Sequence, residues 1–163
     1  MADVVSPVKR SQMMSGIRGA NTRPEVAVRK LLFGLGYRFR LHRRDLPGSP
    51  DIVMPGRKVA VFVQGCFWHR HQPCRYFKVP ATRREFWQTK LEANAARDQL
   101  SVARLKELGW RTLWVWECAL RDSVTRASLP AVLRSWIEGD EEFGEVGATP
   151  EHLPGQQQAV VRR

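Results

Sequence analysis

Apolar positions along the chain recur at two different spacings, and those spacings predict its elements. In TRPEVAVRKLLFGLG (22–36) they recur at helical intervals, with Val26, Leu31, Leu32 and Leu35 marking the apolar side. Thr22 stands where an N-cap belongs, Pro24 falls in the first turn, Glu25 closes a capping box with Thr22, and Gly36 marks the stop. YRFRL (37–41) then alternates apolar and basic side chains as a half-exposed strand does. DLPGSP predicts a turn, and DIVM (51–54) a second strand. After another turn at PGRK, VAVFV (59–63) is apolar throughout, which predicts a central strand covered on both faces.

Farther along, Thr82 and Glu85 make a second capping box, opening a long helix that ends at Gly109 and sets Trp87, Leu91, Ala95, Leu105 and Leu108 on one face. WRTLWVWEC (110–118) reads as a strand, and LPAVLRSWIE (129–138) as a last helix with Pro130 in its first turn. The order α, β, β, β, α, β, α predicts an α/β fold, a mixed central sheet flanked by helices. Residues 1–20 form a basic arm without a period, and 21–138 make the folded domain. From 139 to 163 the composition turns to Gly, Pro, Gln and acids, which predicts a loosely ordered tail. Architecture alone does not assign a function.

Charge narrows the class of partner. The 163 residues hold 27 Lys and Arg against 16 Asp and Glu, a formal +11. The tail contributes five acids and two arginines, so residues 1–138 carry 25 basic and 11 acidic groups, +14. A polyanion is the expected partner, nucleic acid first. Nothing resembles a signal peptide or a run of about 18 apolar residues, so export and membrane insertion have no support and a cytoplasmic location is expected.

The densest chemistry lies in GCFWHRHQPC (65–74), which leaves the apolar strand. Cys66, His71 and Cys74 are spaced C-x4-H-x2-C, close enough for three ligands to meet on one ion. The remaining one of the three cysteines, Cys118, ends the Trp-rich strand and completes a tetrahedral zinc set if that strand adjoins the first. The alternative is two buried cysteines, one exposed thiol and a solvated histidine. Of the neighbouring groups, Asp51 is by itself a turn carboxylate, and Asp98 a solvated one on the long helix.

The stretches GCFWHRHQPC, FKVPATRREFW, RLKELGWRTLWVWECALR and, upstream, LPGSPDIV resemble the very-short-patch-repair (Vsr) DNA mismatch endonucleases, in the same order from about residue 10 to residue 121. The resemblance implies the fold of type II restriction endonucleases (PD-(D/E)XK), a structural zinc, and a Mg²⁺-dependent enzyme that nicks duplex DNA 5′ to the T of a T:G mismatch left by deamination of 5-methylcytosine. It implies zinc on Cys66, His71, Cys74 and Cys118, and Mg²⁺ on Asp51 and the main-chain carbonyl of Val63. His69 becomes the general acid or base, oriented by Asp98, with Glu25 an acid near the active site.

For recognition the resemblance implies that Phe67 and Trp68 wedge beside the mismatch, with Trp87 either a third ring or a core residue. Lys90 and Asn94 become base-contacting candidates, and Met14 of the arm clamps the opposite groove. A monomer working with mismatch-repair and repair-polymerase proteins near the nucleoid is expected. One departure stands out: some members have a second histidine directly before the Gly-Cys pair, where this chain has Gln64. Glutamine hydrogen-bonds but exchanges no proton near neutral pH. A zinc-stabilised DNA-binding module without catalysis, or a restriction enzyme cutting matched DNA, are the rival readings.

Overall fold

The computed structural model describes residues 6–9, 19–72, 74–148 and 160–162. In chain order the elements are α1 (Arg23–Gly34), β1 (Arg40–Leu41), β2 (Ile52–Met54), β3 (Val59–Gln64), α2 (Arg84–Glu107), β4 (Arg111–Trp116), α3 (Cys118–Arg121), α4 (Ser123–Glu138), β5 (Phe143–Gly147) and β6 (Val160–Arg162). The six strands form one sheet in sequence order. β1, β2 and β3 pair antiparallel, β3, β4 and β5 parallel, and β6 antiparallel to β5. Among the described residues no helix is long and apolar enough to cross a membrane.

The apolar run of β3 is buried on both faces, as its composition predicts. Val59 and Val61 join Leu113 and Val115 of β4 under Val28 and Leu32 of α1 and Leu129, Leu133 and Trp136 of α4. Ala60 and Phe62, with Trp114 and Trp116, face the other way, onto Leu105 of α2. The period-2 alternation of strands thus builds two cores, one on each side of the sheet. Fully buried leucines such as Leu113 and Leu133 each contribute roughly 1.5–3 kcal/mol of transfer free energy.

Several predicted boundaries move. The strand expected at 37–41 is paired only at Arg40–Leu41, because Tyr37 turns into the core and its hydroxyl donates to Glu138 at 2.7 Å. The capping box at Thr82–Glu85 does not form: Arg83 is the N-cap, in a left-handed conformation and with no side-chain cap bond. The apolar face of α2 is narrower than predicted, with Leu91 and Leu105 buried, Trp87 and Ala95 half-buried, and Leu108 exposed.

Helix α4 begins at Ser123, six residues before the predicted start. Asp122 is its N-cap, accepting from the Thr125 amide at 2.8 Å, so Pro130 falls inside the helix. Burial of Leu129, Leu133, Trp136 and Ile137 against the sheet outweighs the backbone bond that proline removes. The expected loose tail is also corrected in part, since Phe143–Gly147 is a strand beside β4. Its short alternation, with Val146 buried and two glycines, carries little periodic signal; neighbouring β4 supplies the order.

Candidate active site and metal centre

The carboxyl ends of β3 and β4 lie side by side, Gln64 opposite Trp116, with the Glu117 amide donating to the Gln64 carbonyl at 2.8 Å. Every predicted site residue that the structure describes is grouped at or beside this edge. Ends of parallel strands are where α/β sheets place ligands.

Asp51 precedes β2, held by the His42 amide on its carbonyl and by its own amide on the Val61 carbonyl, both at 3.1 Å. Its carboxylate Oδ2 accepts the Val63 amide at 2.8 Å. Burial raises the Asp51 pKa from 3.8 to about 6; the Val63 hydrogen bond opposes this, the Glu25 charge adds to it, and His42 and His69 oppose it. Asp51 lines a cleft of about 590 Å³ together with Glu25, Val63, Gln64, His69 and Asp98.

Glu25 is buried, and its Oε2 gathers the Asn21 amide at 2.9 Å, Arg29 at 3.1 Å and His42 Nε2 at 3.1 Å. Thr22 Oγ1 donates to Oε1 at 3.2 Å. Its capping role and its place in the cleft are therefore compatible, because one carboxylate does both. Glu25, His42 and Asp51 bring one ligand atom each to within 4.8 Å of one another.

His42 and Arg29 escaped the sequence reading. The available signal was the hairpin register: pairing Leu41 with Ile52 sets His42 opposite Asp51. Glu117, which also lines the cleft, was likewise missed, and only the adjacency of β3 and β4 reveals it.

His69 Nδ1 lies 2.7 Å from Asp98 Oδ2 of α2, so the carboxylate fixes the orientation of the ring. The loop carrying it is tightly wound, with the His69 amide donating to the Gly65 carbonyl at 3.1 Å and the His71 amide to the Cys66 carbonyl at 2.9 Å. Gln64, in the same wall, is buried.

Phe67, Trp68 and Trp87 form a half-exposed ring cluster with centroid separations of 5.0, 5.5 and 6.0 Å. Exposed Phe86, not anticipated, extends it at 5.3 Å from Trp87. Lys90 Nζ sits 5.7 Å from the Trp68 ring centroid, and Asn94 Nδ2 donates to the Trp68 carbonyl at 3.0 Å. Asn94 thus holds the aromatic loop onto α2. Met14 lies outside the described residues.

Cys66, His71, Cys74 and Cys118 converge, their four ligand atoms all within 4.8 Å of one another. His71 Nδ1 is 3.5 Å from Cys118 Sγ. A hydrogen bond from the Cys66 thiol draws Cys118 down to about 4, with His71 assisting against burial. The same bond, together with burial, pushes Cys66 up, and burial raises Cys74. Three sulfurs and a nitrogen in this arrangement match the soft, tetrahedral donor set that zinc takes.

A family model described as DNA mismatch endonuclease Vsr matches residues 2–75. The chain is similar to the type II nicking enzyme V.XorIIP of Xanthomonas oryzae pv. oryzae, 54% identical over 138 residues that span 85% of this chain and 98% of that protein. It is 43% identical over 155 residues to the DNA mismatch endonuclease Vsr of Escherichia coli, across 94% of this chain and 99% of that one. With the type II nicking enzyme V.NmeAIP of Neisseria meningitidis it shares 37% identity over 135 residues, 82% of this chain and 96% of that protein.

Proposed function

The chain belongs to the DNA mismatch endonuclease Vsr family, and from that premise we propose that it nicks duplex DNA on the 5′ side of the T in a T:G mismatch left by deamination of 5-methylcytosine. The observation that carries this reading is a single cleft joining Asp51, the Val63 backbone and the His69–Asp98 pair, beside a half-exposed ring cluster. The strand order, with the acid at the head of a β-hairpin that leads into parallel strands, supports a fold of the type II restriction endonuclease kind.

The cleft's donors fit a hard divalent cation. Burial, with the Glu25 charge adding to it, raises the Asp51 pKa to about 6, a penalty that a bound cation would offset. Asp51 and the Val63 carbonyl would hold Mg²⁺, which would supply charge stabilisation for the phosphate. His69, oriented by Asp98, moves the proton, from the attacking water or to the leaving oxygen. Glu25, held by Arg29 and His42, stands beside Asp51. Gln64 offers hydrogen bonds only, which leaves His69 as the proton carrier in the cleft wall.

Cys66, His71, Cys74 and Cys118 would hold zinc with all four positions taken by the protein, a structural task that would brace the loop bearing Phe67, Trp68 and His69. The rings wedge between base pairs at a cost of a few kcal/mol per unstacked step, least where a mispair has already weakened the stack. Arg70, Arg75, Lys78, Arg83 and Arg84 meet phosphates, and Lys90 a base edge or phosphate. The reading is of a cytoplasmic monomer that hands nicked DNA to repair proteins.

Paired duplexes differing only in T:G versus C:G, incubated with protein and Mg²⁺, test this. A nick confined to the T strand of the mispaired duplex is expected. Equal cutting of both duplexes points to a restriction enzyme, and cutting of neither points to a binding module. Loss of the nick in Asp51→Ala ties it to this cleft.

A further inference from the structure

The end of β5, absent from the sequence-based outline, lies against the cysteine and histidine cluster. Alternation along Phe143–Gly147 turns Val146 into the α1 and α4 core, while Phe143, Glu145 and Gly147 face the side bearing Trp114, Trp116 and the thiols. Three contacts follow. A Cβ on Gly147 would stand 2.9 Å from His71 Cε1, 3.2 Å from Trp116 Cδ1 and 3.3 Å from Cys118 Sγ, so only glycine leaves room for the imidazole. Glu145 Oε2 accepts the Trp116 indole N–H at 3.0 Å, and that indole lies flat on the His71 ring, 4.0 Å between centroids and 4° from parallel. The Ala148 amide donates to Cys118 Sγ at 3.2 Å.

We propose that Glu145, Gly147 and Ala148 are positioning residues of the zinc centre: the end of β5 sets the plane of His71 and the seat of Cys118, and so determines how firmly the ion is held. This rests on the reading of the four-residue cluster as a zinc site. Ligands are oriented by the groups around them, and a thiolate that accepts an amide bond has its charge partly balanced before the metal arrives. Glu145 acts at one remove, through Trp116, and also lines a cavity of about 160 Å³ with His69 and Asp98 on its wall. The strand thus spans from the metal centre to the proton-moving pair.

The test compares full-length, zinc-loaded wild type with Gly147→Ala, Glu145→Ala, Glu145→Gln and Gly144→Ala, reading zinc transfer to an excess of a chelating dye. The ligand-field spectrum of each Co²⁺-substituted form is recorded alongside. Gly147→Ala and Glu145→Ala are expected to release zinc about tenfold faster or more and to shift the Co²⁺ bands. Glu145→Gln keeps an oxygen acceptor for Trp116 and should stay near wild type. Gly144→Ala, whose Cβ would strike the Trp136 ring, controls for damage to the strand: it should lower the unfolding temperature without speeding release from the folded protein.

Release within twofold of wild type from folded Gly147→Ala and Glu145→Ala, with unchanged spectra, overturns the proposal. Should Gly147→Ala fail to fold, the Glu145 pair decides by itself. A wild type that binds no stoichiometric zinc overturns the underlying metal reading instead, a result visible before any variant is compared.

Discussion

Asp51 sits where burial and the Glu25 carboxylate both oppose its ionisation, and the Val63 amide only partly compensates. Its pKa in the folded protein, about 6, exceeds the 3.8 of an ordinary aspartate. Between those values the folded form holds more proton than the unfolded one, so stability falls as pH rises through that window. The full penalty, roughly 3 kcal/mol, is present above it. Asp51→Asn should therefore raise stability by roughly 2–3 kcal/mol at pH 7.5 without added divalent cation, and by little near pH 4. Urea unfolding at the two pH values checks this; equal gains at both would rule out a charge effect. The same variant should lose nicking. A carboxylate whose ionisation is opposed by burial in a cleft is typical of a functional site. His69→Ala should lower the nicking rate by roughly 10²–10⁴-fold, and Asp98→Asn by less, since the ring remains but is poorly oriented. Single-turnover cleavage measures both, and a full-rate His69→Ala enzyme would exclude His69 as the proton carrier.

At the scale of elements, the turn before β2 and helix α2 are packed so closely that they act as one support. Gly48 adopts φ +75°, and a Cβ there would come within 2.8 Å of Ser101 on α2 and 3.1 Å of the Phe62 ring. Gly48→Ala should cost about 2–4 kcal/mol, combining a left-handed backbone with overpacking, as read by urea unfolding. Nicking should fall beyond the loss of folded protein, because Ser101 lies one turn from Asp98 and the shift carries the carboxylate off His69. A variant with wild-type stability would mean that the turn yields freely. Legibility in sequence differed between elements for physical reasons. α1 and β3 bury enough apolar surface in a regular period to announce themselves. α2 does not, because much of it is exposed and polar, and its start follows Arg83 rather than a capping box. The start of α4 was hidden because Pro130 resembles a first-turn proline, while the capping Asp122 lies in a polar stretch.

Over the whole molecule, six basic side chains, Arg70, Arg75, Lys78, Arg83, Arg84 and Lys90, follow the aromatic loop along the chain; all but Arg70 are exposed, Arg83 lies over the Phe86 ring and Lys90 over Trp68, Phe86 and Trp87. Phosphate contacts are indifferent to a mispair, whereas the proposed insertion of rings between base pairs is not. Binding to T:G and C:G duplexes should therefore weaken with salt along parallel lines, with a log–log slope of about −5 if all six basic groups engage. The mispaired duplex should keep a constant advantage, and fluorescence anisotropy across a salt series reads both quantities. Slopes that differ between the duplexes would mean that charge, not stacking, makes the distinction. The chain's local patterns determined what a single element can express: the α1 helix, the doubly buried β3, the net charge, and three of the four clustered soft donors within nine residues. Tertiary structure alone decided that Cys118 joins them, that His42 meets Glu25 and Asp51, that the end of the 143–147 strand lies against the cysteine and histidine cluster, and that Asn94 holds the aromatic loop. Periodicity reports burial along one element. Distances between groups tens of residues apart depend on the register of every strand between them, which is settled only when both cores pack at once.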